Sequence, residues 1–137
     1  MTADTSVVVA ALSGWHEQHD DAARALEPIT VLPAHALLET YSVLTRLPSG
    51  LAAAPAVAAA VLRERFPDPP LRLAARDHAK LLDRLASADV YGGASYDALV
   101  ALEAHAHDRP LLTLDRRAQQ TYRRLGVRFE VVGPPPS

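Results

Sequence analysis

Three consecutive segments near the C-terminus constrain this chain more than any other feature: "PLLTL", then "RRAQQTYRRLG", then "VRFEVV". The outer two are short apolar runs of strand character, and the middle one is a helix with a glycine stop. The same alternation runs through the rest of the sequence. "SVVVAALSG" and "HEQHDDAARALE" read as two helices broken at Gly14, and "ITVLP" as a short strand. Pro33 sits at a helix start, where its missing N–H costs little, and "AHALLETYSVLTRL" then runs to Pro48. Pro55 opens "AVAAAVLRERF", which ends before the prolines at 67, 69 and 70. "LRLAA" fits either a strand or a helix entry. "RDHAKLLDRLASAD" is helical, and the loop "VYGG" leads into the helix "ASYDALVALEAHA". Short strands separated by helices imply a parallel sheet covered on both faces. The expectation is an α/β fold, a three-layer α/β/α arrangement with a short, mainly parallel central sheet. It forms a single domain over residues 1–133, followed by a stiff proline-rich tail at 134–137.

Composition narrows the function. With 137 residues, 49% of them hydrophobic and 22% charged, the chain can bury a real core and is not disordered. There is no cysteine, which excludes disulfides, thiolate metal sites and cysteine catalysis. The longest apolar run, "LAAAPAVAAAVL", is too short for a membrane span and contains a proline. No basic residue precedes the first apolar stretch, as a secretory signal would require. A cytoplasmic location is expected. Fourteen Lys+Arg against sixteen Asp+Glu give a net charge of −2, so nucleic-acid binding would have to come from local arginine patches.

Most of the acids fall in polar helical stretches and read as solvated surface, but four are placed differently. Asp4 stands where a first strand would end, and Asp115 ends "LLTL" just before a helix. Each can serve as a helix N-cap, or can lie at the carboxyl edge of the sheet, where α/β proteins collect their function. Glu39 is in mid-helix, where Arg46 two turns later is a possible partner. Asp97 opens a helix on the face it shares with Val100, Ala101 and Ala104. Asp97 could likewise cap that helix, although Ser95 is the better placed cap, which weakens the capping reading. Converging carboxylates repel, by roughly 3 kcal/mol for a pair ~5 Å apart at an effective dielectric near 20. A hard divalent cation with oxygen ligands, Mg²⁺ or Mn²⁺, would offset that repulsion.

The order of these residues is similar to that of a known family. "DTS" after a first strand, a helical Glu some 35 residues on, "YDALVALEA" and then "LLTLD" resemble the PIN domain. They resemble most the single-domain VapC-type toxins of bacterial toxin–antitoxin pairs, over nearly the whole chain. Residue by residue, the family's acidic quartet matches Asp4, Glu39, Asp97 and Asp115. The resemblance implies a Mg²⁺- or Mn²⁺-dependent endoribonuclease that cuts structured RNA such as tRNA or rRNA. It also implies a homodimer and a cognate antitoxin whose tail enters the acidic groove. Asp4 and Asp97 would be direct metal ligands and Asp115 a further one, directly or through water. Glu39 would complete the site or orient the attacking water. Thr5, Ser6 and Thr113 carry hydroxyls that can orient the neighbouring carboxylates, or can act only as turn and capping residues. Arg116 and Arg117, and Arg46, are candidates for holding RNA phosphates, with a solvated helix surface as the alternative. Only "MTA" precedes Asp4, so either the first strand is very short or the true start lies upstream.

Rival readings fit less well. "HEQH" is one residue short of the helical H-E-x-x-H of zinc proteases. Arg72 and His78 have a spacing similar to that in the Arg–His nucleases called HEPN domains, but those are all-helical. The remaining alternative is a catalytically silent PIN-like domain that binds RNA or a partner without cutting.

Overall fold

At the centre of the computed structural model, which describes residues 1–134, lies a three-stranded sheet. Its strands are β1 (Thr2–Ala3), β2 (Leu111–Thr113) and β3 (Phe129–Val131), in that spatial order and all parallel. The ladder continues one residue beyond each strand. The Asp4 N–H donates to the Leu112 carbonyl at 3.0 Å and the Val132 N–H to the Thr113 carbonyl at 2.9 Å. β2 shows why the sheet must be covered twice, since successive side chains of a strand point to opposite faces. Leu111 packs with Ala98, Ala101, Tyr122 and Leu125, whereas Leu112 packs with Val7, Val8, Leu26 and Phe66.

Eight helices supply those two layers. They are α1 (Thr5–Leu12), α2 (His19–Leu26), α3 (Ala34–Thr45), α4 (Pro55–Arg65), α5 (Ala75–Ala79), α6 (Leu81–Ser87), α7 (Ala94–Ala106) and α8 (Arg116–Leu125). One face of the sheet is filled from α1, α2 and α4, the other from α6, α7 and α8. α3 contributes Ala36 to the second group and Leu37 and Tyr41 to the first, so it sits where the two layers meet. The three-layer α/β/α fold with a short parallel sheet is therefore present, and β1 is as short as two residues.

Four local expectations are corrected. "ITVLP" is not a sheet strand. It runs extended beside β1, held by the Thr2 hydroxyl on the Val31 carbonyl at 2.7 Å and by a single parallel bridge between Pro33 and Leu71. Prolines at 28, 33, 69 and 70 leave too few N–H donors on either segment to extend a ladder. The stretch expected to form one helix over 76–89 is two, broken at Lys80, and α5 buries no residue that would hold a common axis. α2 begins at His19 rather than His16, because His16 Nδ1 accepts the Gln18 N–H at 3.0 Å and competes with the helical pattern. Ser95 does not cap α7; Gly93 occupies that position without a side-chain bond. The tail expected at 134–137 lies, beyond Pro134, outside the described residues. Among the described residues no helix is long and apolar enough to cross a membrane.

Candidate active site

The carboxyl edge of the sheet is where chain direction changes most abruptly. β1 passes through Asp4 directly into α1, and β2 passes through Leu114 and Asp115 into α8. Both acids are N-caps. Asp4 Oδ1 accepts the Val7 N–H, and Asp115 Oδ1 accepts the Arg117 and Ala118 N–H groups at 2.9 and 3.2 Å. A cap uses one carboxylate oxygen and leaves the other available to a second partner. Both side chains also line one cleft of about 520 Å³, together with Thr5, Ser6, Glu39, Asp97 and Arg116.

Asp4 is held most firmly. It is only 5% exposed, and its Oδ2 accepts the Tyr122 hydroxyl at 2.7 Å. Ser6 Oγ donates to Oδ1 and accepts the Leu114 N–H at 2.9 Å, which ties the end of β2 to the Asp4 carboxylate. Burial pushes the Asp4 carboxyl up from its usual range, and the bonds from Ser6, Thr113, Tyr122 and the Val7 N–H pull it back. Thr113 Oγ1 also accepts the Asp115 N–H at 3.0 Å.

Glu39 reaches the cleft from α3. Its partner is His35, one turn earlier, with Nε2 3.5 Å from Oε1, and the Thr5 hydroxyl lies at the same distance. The expected pairing with Arg46 does not form. Burial raises the Glu39 carboxyl, His35 lowers it, and the charge of Asp4 raises it again. Asp97, in the first turn of α7, differs from the other three. Among the described residues nothing donates a hydrogen bond to it, and its carboxyl is pushed up to about 6. Burial is the main cause, followed by the charges of Asp115, Glu39 and Asp4. Those three contributions place all four acids within electrostatic reach of one another. Among the described residues no lysine or arginine side chain forms an ion pair with any of them.

Arg116 lines the cleft, whereas Arg117 and Arg46 are exposed and do not. Arg72 and His78 are likewise exposed and lie outside it. Sequence reasoning missed Tyr122. A tyrosine on the apolar stripe of α8 reads as core, and it is core, with no exposed surface. Its hydroxyl nonetheless ends on a cleft carboxylate, and the nearby charge of Asp4 adds to burial in holding the phenol far above its usual range. His35 and Glu103 were also missed.

Residues 1–124 match the sequence profile of the PIN domain. The chain belongs to the PIN domain family. It is 50% identical to the ribonuclease VapC40 of Mycobacterium tuberculosis, from strains H37Rv and CDC 1551, over 94% of this chain and 96% of the relative. It is 46% identical to the ribonuclease VapC27 of strain H37Rv, over 96% of both chains. Similarity therefore extends through essentially the whole PIN domain and past α8.

The donor chemistry of this PIN domain indicates which cation it would accept. The cleft acids are hard oxygen donors, the chain has no cysteine, and His16 is the one histidine that the cleft lining includes among the described residues. Among the described residues no group of three or more His, Cys, Asp or Glu side chains is arranged to hold a metal ion by itself. Carboxylate oxygens suit Mg²⁺ or Mn²⁺, which are held by one or two carboxylates and keep several waters. The half-buried, unpartnered Asp97 is the group whose charge such an ion would compensate.

Proposed function

We propose that this chain is a Mg²⁺- or Mn²⁺-dependent endoribonuclease of the VapC type, a toxin that cleaves RNA and is held inactive by a cognate antitoxin. It acts as a single PIN domain over residues 1–133, as a homodimer, with tRNA or rRNA as the substrate class. One observation carries the reading: Asp4, Glu39, Asp97 and Asp115 line one cleft, and among the described residues no lysine or arginine side chain is paired to them. The ribonuclease names of the VapC relatives support the reaction. Antitoxin and dimer follow from the family resemblance.

Asp4 and Asp97 would hold the ion directly, and Asp115 would hold it directly or through water. When bound, the ion would lower the pKa of a water and offset charge building on the phosphate. Glu39 would orient the attacking water, with His35 Nε2 restraining its Oε1 at 3.5 Å. Ser6 and Thr5 keep Asp4 and Glu39 in place from the first turn of α1, and Thr113 fixes the chain at Asp115. Arg116, at the mouth of the cleft, takes the phosphodiester backbone, as a guanidinium does in bidentate fashion.

The test is cleavage of total RNA by the purified protein in Mg²⁺ or Mn²⁺, in EDTA, and beside Asp97→Asn. Discrete fragments that require both the ion and Asp97 are expected. Cutting in EDTA would overturn the carboxylate mechanism. Binding of RNA without cutting would favour the silent PIN-like domain.

A further inference from the structure

Glu103 is an acid that the proposed reaction does not use. It lies in α7, six residues beyond Asp97, and is 5% exposed; among the described residues no lysine or arginine forms an ion pair with it. A buried carboxylate without a cation is costly unless hydrogen-bond donors replace water. Here the donor comes from another helix: the His35 N–H reaches Glu103 Oε1 at 3.0 Å. His35 is the second residue of α3, whose cap position is Pro33, a residue with no side-chain acceptor. Glu103 thus satisfies one of the free N–H groups at the α3 N-terminus from across the α3–α7 interface, at the positive end of the helix dipole.

His35 joins this tie to the cleft in two further ways. Its ring stacks on Tyr96, the neighbour of Asp97, with centroids 5.5 Å apart and planes at 10°. Its Nε2 faces Glu39 Oε1 at 3.5 Å. One residue therefore connects Glu103 and Tyr96 on α7 with Glu39 on α3. We infer that Glu103 is a positioning residue, whose bond to the His35 N–H fixes the first turn of α3 and so sets Glu39 opposite Asp97. The inference rests on the nuclease reading above. Burial pushes the Glu103 carboxyl up to about 7, with the His35 N–H and the charge of His107 pulling the other way. An assay at pH 8 therefore studies it ionised.

The experiment combines kinetics with amide exchange. Glu103→Leu removes the acceptor. It should lower kcat about tenfold with KM within about twofold, since Glu39 is displaced while RNA contacts are unaltered. Glu103→Gln keeps a carbonyl oxygen for the His35 N–H and should stay within about threefold of the native protein. On a Glu39→Gln background, adding Glu103→Leu should change kcat by less than about twofold, because Glu103 acts through Glu39. The His35 amide should exchange faster in Glu103→Leu and at the native rate in Glu103→Gln. If Glu103→Leu does not fold, Glu103→Asp keeps the charge and is too short to reach the His35 N–H. Independent, multiplicative losses in the cycle, or an unchanged His35 exchange rate, overturn the inference while leaving the nuclease intact. A native protein that never cleaves RNA in Mg²⁺ or Mn²⁺ overturns the nuclease reading and the inference together.

Discussion

Asp97→Asn separates a cleft acid from a structural one, because the two roles predict stability changes of opposite sign. The folded protein raises the Asp97 carboxyl from 3.8 to about 6, through burial first and the charges of Asp115, Glu39 and Asp4 after it. At 1.36 kcal/mol per pH unit that shift corresponds to roughly 3 kcal/mol against the ionised form. The carboxylate is partly exposed, and solvent screening leaves about 1–2 kcal/mol of it. An acid whose pKa is higher folded than unfolded binds its proton more tightly when folded. Its contribution is therefore favourable at low pH. It is lost as pH rises from the unfolded value near 4 to the folded value near 6. Asparagine is neutral throughout and escapes this loss. In EDTA at pH 7.5, Asp97→Asn should melt about 3–8 °C higher, taking roughly 3–4 °C per kcal/mol for a chain of this size. Near pH 4 the gain should shrink towards zero. Added Mg²⁺ should raise the melting temperature of the native protein more than that of the variant, since binding to the folded state stabilises it. RNA cleavage should be abolished. Scanning calorimetry at the two pH values decides the matter. A lower melting temperature at pH 7.5 would mean that Asp97 holds α7 together, and the charge-cluster argument would be wrong.

Two further predictions probe what supports the cleft. Tyr122→Phe removes the 2.7 Å bond to Asp4 Oδ2 and leaves a buried carboxylate short of one donor. It should cost about 2 kcal/mol in urea denaturation and reduce cleavage; a loss under about 0.5 kcal/mol would mean that Asp4 does not depend on the phenol. Gly126 ends α8 with φ +69°, and an added Cβ there meets nothing within 4 Å. Gly126→Ala should therefore cost only the backbone term, about 1 kcal/mol, with cleavage unchanged; a loss above about 2 kcal/mol would reveal packing that the open surroundings do not suggest.

The elements legible in the sequence were those whose periodicity was enforced by packing on the sheet. α8 carries Ala118, Thr121, Tyr122 and Leu125 on one buried stripe and ends at a left-handed glycine, so pattern and stop signal agree. β2 is buried at every position, as an apolar run between helices should be. The failures occurred where a local interaction outweighed the pattern. "ITVLP" has strand composition, but a strand also needs a neighbour with free donors and acceptors, and the prolines of both segments limit the pairing to a single bridge. Composition reports the first requirement and not the second. The start of α2 was displaced by a bond from a histidine side chain, and the break at Lys80 left no mark in a run of good helix formers.

For the site, the sequence posed capping and cleft chemistry as alternatives for Asp4 and Asp115, and the geometry makes them the same role. A parallel strand that turns directly into a helix puts the helix N-terminus at the carboxyl edge of the sheet. The cap residue at that junction must face that edge. Its carboxylate accepts N–H groups of the first turn. Two such junctions, after β1 and after β2, bring two carboxylates to one cleft with no further design. Asp97 and Glu39 come from helices instead, and lack that support. Among the described residues nothing donates a hydrogen bond to Asp97, and Glu39 relies on His35 and Thr5. The residues that hold the helical pair in place, Glu103 on a backbone N–H and Tyr96 on a ring, act across helix–helix interfaces. A sequence read one helix at a time cannot reveal them, because the spacing of Glu103 from His35 is 68 residues and no periodicity connects the two.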